Sequence, residues 1–135
     1  MALLDDDTFR RLCRARDLAD ASFRGPISLD ALAREACLSP FHFHRLFTKA
    51  FGETPHEFLT SRRIGHAKRM LAGDHASITD ICFEAGYSSL GSFSAKFQKS
   101  VGLSPSEYRR NVRRIVGYPG LSIFVPNCFF GFHLQ

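Results

Sequence analysis

The chain has 135 residues, a formal net charge of +5 and hydrophobic side chains at 44% of its positions. That is enough for one domain, or two very small ones, to bury an apolar core without disulfides. The basic surplus points to a polyanionic partner, and no apolar run approaches the length of a membrane span.

A first helix is expected over residues 8–23. Asp5, Asp6 and Asp7 lie at its positive end, where carboxylates are favoured. Phe9, Leu12, Cys13, Arg16, Ala19 and Phe23 trace a mostly apolar stripe at helical spacing, and Gly25-Pro26 stops it. Ser28 can cap a second helix reaching Ala36, with Leu29, Leu32 and Ala33 as its buried face. Cys37-Leu38 makes a tight turn. Ser39-Pro40, a capping side chain followed by proline at the first helical position, starts a third helix that ends at Gly52. Thr54-Pro55 starts a fourth, over residues 55–71, ended by Gly73. A fifth covers residues 78–85, and Gly86-Tyr87 turns the chain into a sixth over residues 90–101. The seventh runs from Ser104-Pro105 to about Arg114. Beyond it, Pro119, Gly120, Pro126 and Gly131 punctuate I-F-V and C-F-F-G-F, a pattern of extended structure.

The chain says one thing twice. F-H-R-L-F-T-K-A-F-G-E-T-P-H-E-F, from Phe43, matches F-S-A-K-F-Q-K-S-V-G-L-S-P-S-E-Y, from Phe93, at an offset of fifty. Upstream the offset is forty-nine: Leu32-Ala33 matches Ile81-Cys82, Ala36 matches Ala85, and Leu38-Ser39 matches Tyr87-Ser88. The second copy therefore carries one extra residue in its turn. One supersecondary unit is used twice.

A short helix, a tight turn and a second helix with a basic outer face form a helix-turn-helix. On the second helix Phe43, Leu46 and Phe47 should be core; Phe41, His42, His44, Arg45, Thr48 and Lys49 face outward. An inner face anchors such a helix while an outer face offers donors to base edges and phosphates. The connecting helix, roughly 17 residues at about 1.5 Å each, spans about 25 Å. The two recognition helices then reach successive major grooves about 34 Å apart, on an asymmetric site. From Pro40 to Arg114 twelve Lys/Arg face six Asp/Glu.

The stretches I-S-L-D-A-L-A-R-E-A-C-L-S-P-F-H-F-H-R-L-F-T-K-A-F-G-E-T-P and I-T-D-I-C-F-E-A-G-Y-S-S-L-G-S-F-S-A-K-F-Q-K-S-V-G-L-S-P-S-E-Y-R-R resemble the DNA-binding domain of the AraC/XylS family of bacterial transcription regulators. With R-A-R-D-L-A-D-A of the first helix, the resemblance covers roughly residues 8–114. It implies an all-α fold of seven helices in two helix-turn-helix subdomains. Residues 1–54 and 73–115 form the subdomains, 55–72 the linker helix and 116–135 an apolar tail. It further implies sequence-specific binding to double-stranded promoter DNA, activation through RNA polymerase, and a bacterial cytoplasmic location at the nucleoid.

The resemblance places base contacts of the first recognition helix at Phe41, His44 and Arg45. The Arg45 fork fits guanine O6 and N7. His44 can donate or accept. Phe41 has no donor, so it packs on a thymine methyl or a sugar, or else belongs to the core. The corresponding base-reading positions of the second recognition helix are Gly91, Ser92 and Ala95, which have little reach. Hence the first unit specifies and the second mainly anchors. Phosphate candidates are Ser39, His42, Lys49, Arg62, Arg63, Ser89, Lys96, Lys99 and Arg109, with Lys68, Arg69 and Arg110 beside them; His42, Lys68 and the arginines could equally be solvated surface groups.

No catalytic constellation can be assembled from spacing, so no enzyme, cofactor or metal is expected. The four cysteines (Cys13, Cys37, Cys82, Cys128) form no C-x-x-C pair, which suits free thiols in a reducing cytoplasm. Cys37 and Cys82 read as buried structural thiols. Four tail phenylalanines (Phe124, Phe129, Phe130, Phe132) in an uncharged stretch leave three readings. They fold back on the helices, pair two chains as a homodimer, or line a small-molecule pocket. The last two make a ligand- or thiol-responsive regulator, controlled through its tail, the alternative to a plain DNA-binding activator. A protein-interaction module without DNA is the third class.

Overall fold

A computed structural model describes residues 4–73 and 76–116, with side chains to residue 115. The tail, with its expected extended structure, four phenylalanines and Cys128, lies outside the described residues. All the described elements are helices: α1 (Asp6–Ser22), α2 (Leu29–Glu35), α3 (Pro40–Phe51), α4 (Pro55–Gly73), α5 (Ile78–Glu84), α6 (Leu90–Val101) and α7 (Pro105–Val116). The chain divides into two compact units inside α4, between Arg62 and Arg63.

In the first unit α1 begins two residues earlier than expected. The Asp5 carboxylate accepts from the Thr8 backbone N–H at 2.8 Å and from its hydroxyl at 2.7 Å. Those bonds hold the Asp5 carboxyl below its usual pKa. The buried side of α1 is Thr8, Leu12, Ala15 and Ala19, a register shifted from the expected stripe. Cys13, Arg16 and Phe23 are half-buried and Phe9 is 43% exposed. Small alanines at 15 and 19 let α1 approach its neighbours, and the larger residues border that seam. Phe9 and Arg16 both cover the Phe51 ring from the rim, at 6.0 and 4.6 Å. Leu29, expected inside, is exposed; Leu32 and Ala33 are buried as expected. Phe43, Phe47, Phe58 and Leu59 complete this core.

The second core gathers Ile64, Ala67, Leu71, Ile81, Cys82, Ala85, Phe93, Phe97, Tyr108 and Val112. The aromatic geometry repeats. Phe43–Phe47 and Phe93–Phe97 ring centroids lie 5.5 and 5.7 Å apart, and Phe47–Phe58 and Phe97–Tyr108 meet edge-on at 5.9 and 5.5 Å. Leu12, Ala15 and Ala19 of α1 have their counterparts in Ile64, Ala67 and Leu71 of α4. One helix thus closes the first core with its opening turns and starts the second with the rest.

The paired Glu57 and Glu107 have a local reason. Thr54 Oγ1 accepts from the Glu57 N–H at 3.1 Å while Glu57 accepts from the Thr54 N–H at 2.9 Å. Ser104 and Glu107 repeat this reciprocal capping box at 3.2 and 3.0 Å.

The two helix-turn-helix turns share one construction. The Leu38 N–H donates to Ala33 O (2.9 Å) and the Cys37 N–H to Arg34 O (3.0 Å); Tyr87 and Gly86 donate to Cys82 O (3.1 Å) and Phe83 O (3.0 Å). This double bond pattern requires a left-handed residue just past the helix. Cys37 (φ 55°) and Gly86 (φ 93°) fill that position. Its backbone turns the Cys37 side chain outward, so Cys37 is exposed, not the buried thiol expected. Cys82, four residues before Gly86 and at the position of Ala33, is buried.

Candidate nucleic-acid interface

Five of the seven helices carry an acidic residue in the first turn: Asp6 and Asp7, Asp30, Glu57, Asp80 and Glu107. α3 and α6 carry none. A carboxylate there would stabilise the helix but would repel a phosphate from the positive pole. Both helices have serine N-caps, as α2 and α5 do at Ser28 and Ser77, but here no first-turn acid accompanies the cap. Ser39 Oγ accepts from the His42 N–H at 3.3 Å and Ser89 Oγ from the Ser92 N–H at 3.2 Å. Each cap is uncharged, and its hydroxyl proton is still available to donate.

On α3, Phe43 and Phe47 point into the core, which turns Phe41, His42, His44, Arg45 and Lys49 outward. Phe41 is 73% exposed, so the core reading of that residue is set aside. The Arg45 guanidinium lies 6.0 Å from the Phe41 ring centroid, at the limit of a cation–π contact. Thr48 Oγ1 donates back to His44 O at 2.7 Å. α3 has no acidic residue anywhere along its length.

On α6 the outward residues are short. Gly91, Ser92 and Ala95 are exposed, Lys99 is exposed and Lys96 half-buried. A Cβ placed on Gly91 would meet nothing within 4 Å. The Cys82 thiol donates to Ser89 O at 3.4 Å beneath the start of this helix. Burial pushes that thiol's pKa up.

Several arginines offered for phosphate are engaged within their own unit. Arg62 Nε pairs with Asp20 at 3.0 Å, and its guanidinium covers the Phe58 ring at 4.8 Å. Arg109 donates to Ala76 O at 2.6 Å. Arg63 lies 5.9 Å over the Tyr87 ring. Lys68, read as a surface cation, is buried at 5% exposure over the Tyr108 ring, because α4 turns that face into the second core. Arg69 and Arg110 are exposed. Sequence reasoning missed the contrast in first-turn acids, although it was written there. It could not have found the pairings of Arg62 and Arg109, since their partners lie forty-two and thirty-three residues away in the chain.

No helix is long and apolar enough to cross a membrane, and no cluster of potential metal ligands occurs, among the described residues.

Residues 32–111 match the model of a helix-turn-helix domain. An uncharacterised HTH-type transcriptional regulator of Staphylococcus aureus (strain COL) is 33% identical over 108 residues, covering 80% of this chain and 14% of that protein. The lactose operon transcription activator of Staphylococcus xylosus is 32% identical over 97 residues, covering 72% of this chain and 35% of the relative. The chain therefore spans only a small part of these relatives. Among solved structures, the DNA-binding domain of AdpA, a global transcriptional factor in complex with a target DNA, superposes with a TM-score of 0.74 at 25% identity. That match covers 78% of this chain and 95% of the other. The C-terminal domain of AraT, a response regulator from Geobacillus stearothermophilus, gives 0.72 at 27% identity over 82% and 88%. Seven helices in this order, a twice-built turn and these likenesses lead to one conclusion: the chain belongs to the AraC-type helix-turn-helix family of DNA-binding transcription regulators.

Proposed function

We propose that the chain binds an asymmetric promoter site through α3 and α6 in successive major grooves and activates transcription by contact with RNA polymerase. The acid-free first turns of α3 and α6, the two helices whose serine caps are left to meet phosphate, carry this reading. α3 does the specifying. Arg45 addresses guanine O6 and N7, His44 a neighbouring base edge and Phe41 an apolar one, while His42 and Lys49 meet the backbone. α6 mainly anchors, through Ser89, Ser92, Lys96 and Lys99, because Gly91 and Ala95 have no reach. The engaged Arg62, Arg63 and Arg109 serve the folded units first and phosphate second. Activation follows the lactose operon activator of Staphylococcus xylosus, one of the relatives.

Selection of bound sites from a random duplex pool tests the proposal. The expected result is one preferred, non-palindromic site with two informative patches about one helical turn apart, the stronger opposite α3. Binding should weaken steeply with salt. Arg45→Ala should lose preference between sites, and Lys96→Ala should weaken binding to all sequences alike. A chain that ignores duplex DNA at low salt overturns the reading. Transcription from a promoter bearing the selected site, with purified polymerase, then tests activation.

A further inference from the structure

Phe41 and Arg45 stand one helical turn apart on an outward face, with the guanidinium 6.0 Å from the ring centroid. Phe41 is 73% exposed, an unusual position for a phenylalanine. It has no hydrogen-bonding donor or acceptor with which to read the polar groups of a base edge. On the base edges of a major groove the apolar group is the C5-methyl of a pyrimidine, carried by thymine. 5-Methylcytosine presents the same methyl at the same ring position. Beside Phe41, the planar guanidinium of Arg45 offers the N–H fork that matches guanine O6 and N7. Base pairs rise about 3.4 Å along the axis, so groups about 6 Å apart address bases one or two steps from each other.

Resting on the DNA-binding reading above, we infer that Phe41 and Arg45 act as one composite reader of a C5-methylated pyrimidine set one or two base pairs from a guanine. Arg45 reads the guanine and Phe41 reads the methyl group. Recognition at this head therefore responds to the methyl on either pyrimidine. A cytosine at the thymine position loses affinity, and methylation of that cytosine restores part of it.

The test uses the full chain and the duplex selected from the random pool. Each thymine within two base pairs of the Arg45-dependent guanine is replaced in turn by deoxyuridine, which removes only the methyl. The same position is also compared as deoxycytidine and 5-methyldeoxycytidine. Fluorescence anisotropy gives Kd for wild type and Phe41→Ala. Burial of one methyl predicts about a fourfold gain for the methylated base in each pair at one position. That gain should disappear in Phe41→Ala, whose exposed site leaves the fold intact. Equal binding of methylated and unmethylated duplexes by wild type, or an undiminished gain in Phe41→Ala, overturns the composite reader. Continued loss of site preference in Arg45→Ala would then show that DNA reading itself stands. If wild type binds none of the duplexes, both fall together.

Discussion

Cys37 and Gly86 hold the same left-handed position in the two helix-turn-helix turns, at φ 55° and 93°, and only one of them is a glycine. A side chain in that region crowds its own carbonyl, a cost glycine escapes. Cys37→Gly should therefore stabilise the first unit by about 0.5–1 kcal/mol, and Gly86→Ala should destabilise the second by a similar amount. Urea unfolding at equilibrium measures both. A destabilised Cys37→Gly would mean that the thiol makes a contact worth more than the backbone relief.

The thiols should separate chemically. Cys37 is exposed, whereas Cys82 is buried, donates a hydrogen bond to Ser89 O, and is pushed to higher pKa by burial. Since the thiolate is the reactive form, alkylation under native conditions should label Cys37 quickly and Cys82 only when the second unit opens. Peptide mapping by mass spectrometry after timed labelling distinguishes the two. Comparable rates at the two positions would contradict the packing around α5.

Tyr108 gives the second unit an alkaline limit. Burial raises its pKa from 10.0 to about 12. Between those values the folded chain keeps a proton that the unfolded chain has released. Its contribution is complete below pH 10 and shrinks as pH climbs toward 12. Lys68, beside the ring, acts oppositely: burial lowers its pKa, so stability rises with pH just below its unfolded value of about 10.5. Tyr108→Phe removes the titrating phenol and keeps the ring. Its stability should fall less than that of wild type between pH 9.5 and 11.5, read by urea midpoints at about those values.

Ser104 and Glu107 cap α7 reciprocally, and the bonds from Ser104 hold the Glu107 carboxyl below its usual pKa. Ser104→Ala should cost about 1 kcal/mol. Because the folded pKa is depressed, the contribution of Glu107 is present above its unfolded value and vanishes as pH falls through the folded one. Glu107→Gln should consequently flatten the acid side of the stability profile. An unchanged slope there would assign the acid sensitivity to other carboxylates.

Much of the fold was legible because its signals are local. Ser39-Pro40, Gly52, Thr54-Pro55, Gly102 and Ser104-Pro105 each act within four residues, and they placed α3, α6 and the beginnings of α4 and α7. Choosing between neighbouring apolar positions is not local. Phe9 and Leu29 are as hydrophobic as Leu12 and Leu32, and only the packed partner decides that the latter pair goes inside. Cys37 reads as a small core residue until its backbone is seen to be left-handed. Of the candidate interface, α3 and α6 and their outward residues could be named in advance. The commitment of Arg62 to Asp20 and of Arg109 to Ala76 could not, because a long side chain's partner is set by tertiary approach.

Gly91 sits near the start of α6 with open space where a side chain would begin. Alanine there should tighten the helix by about 0.5–1 kcal/mol, measurable as a higher urea midpoint. If α6 mainly anchors, as proposed above, this open position is where a new side chain could add base contacts to the second unit with no Cβ clash to relieve.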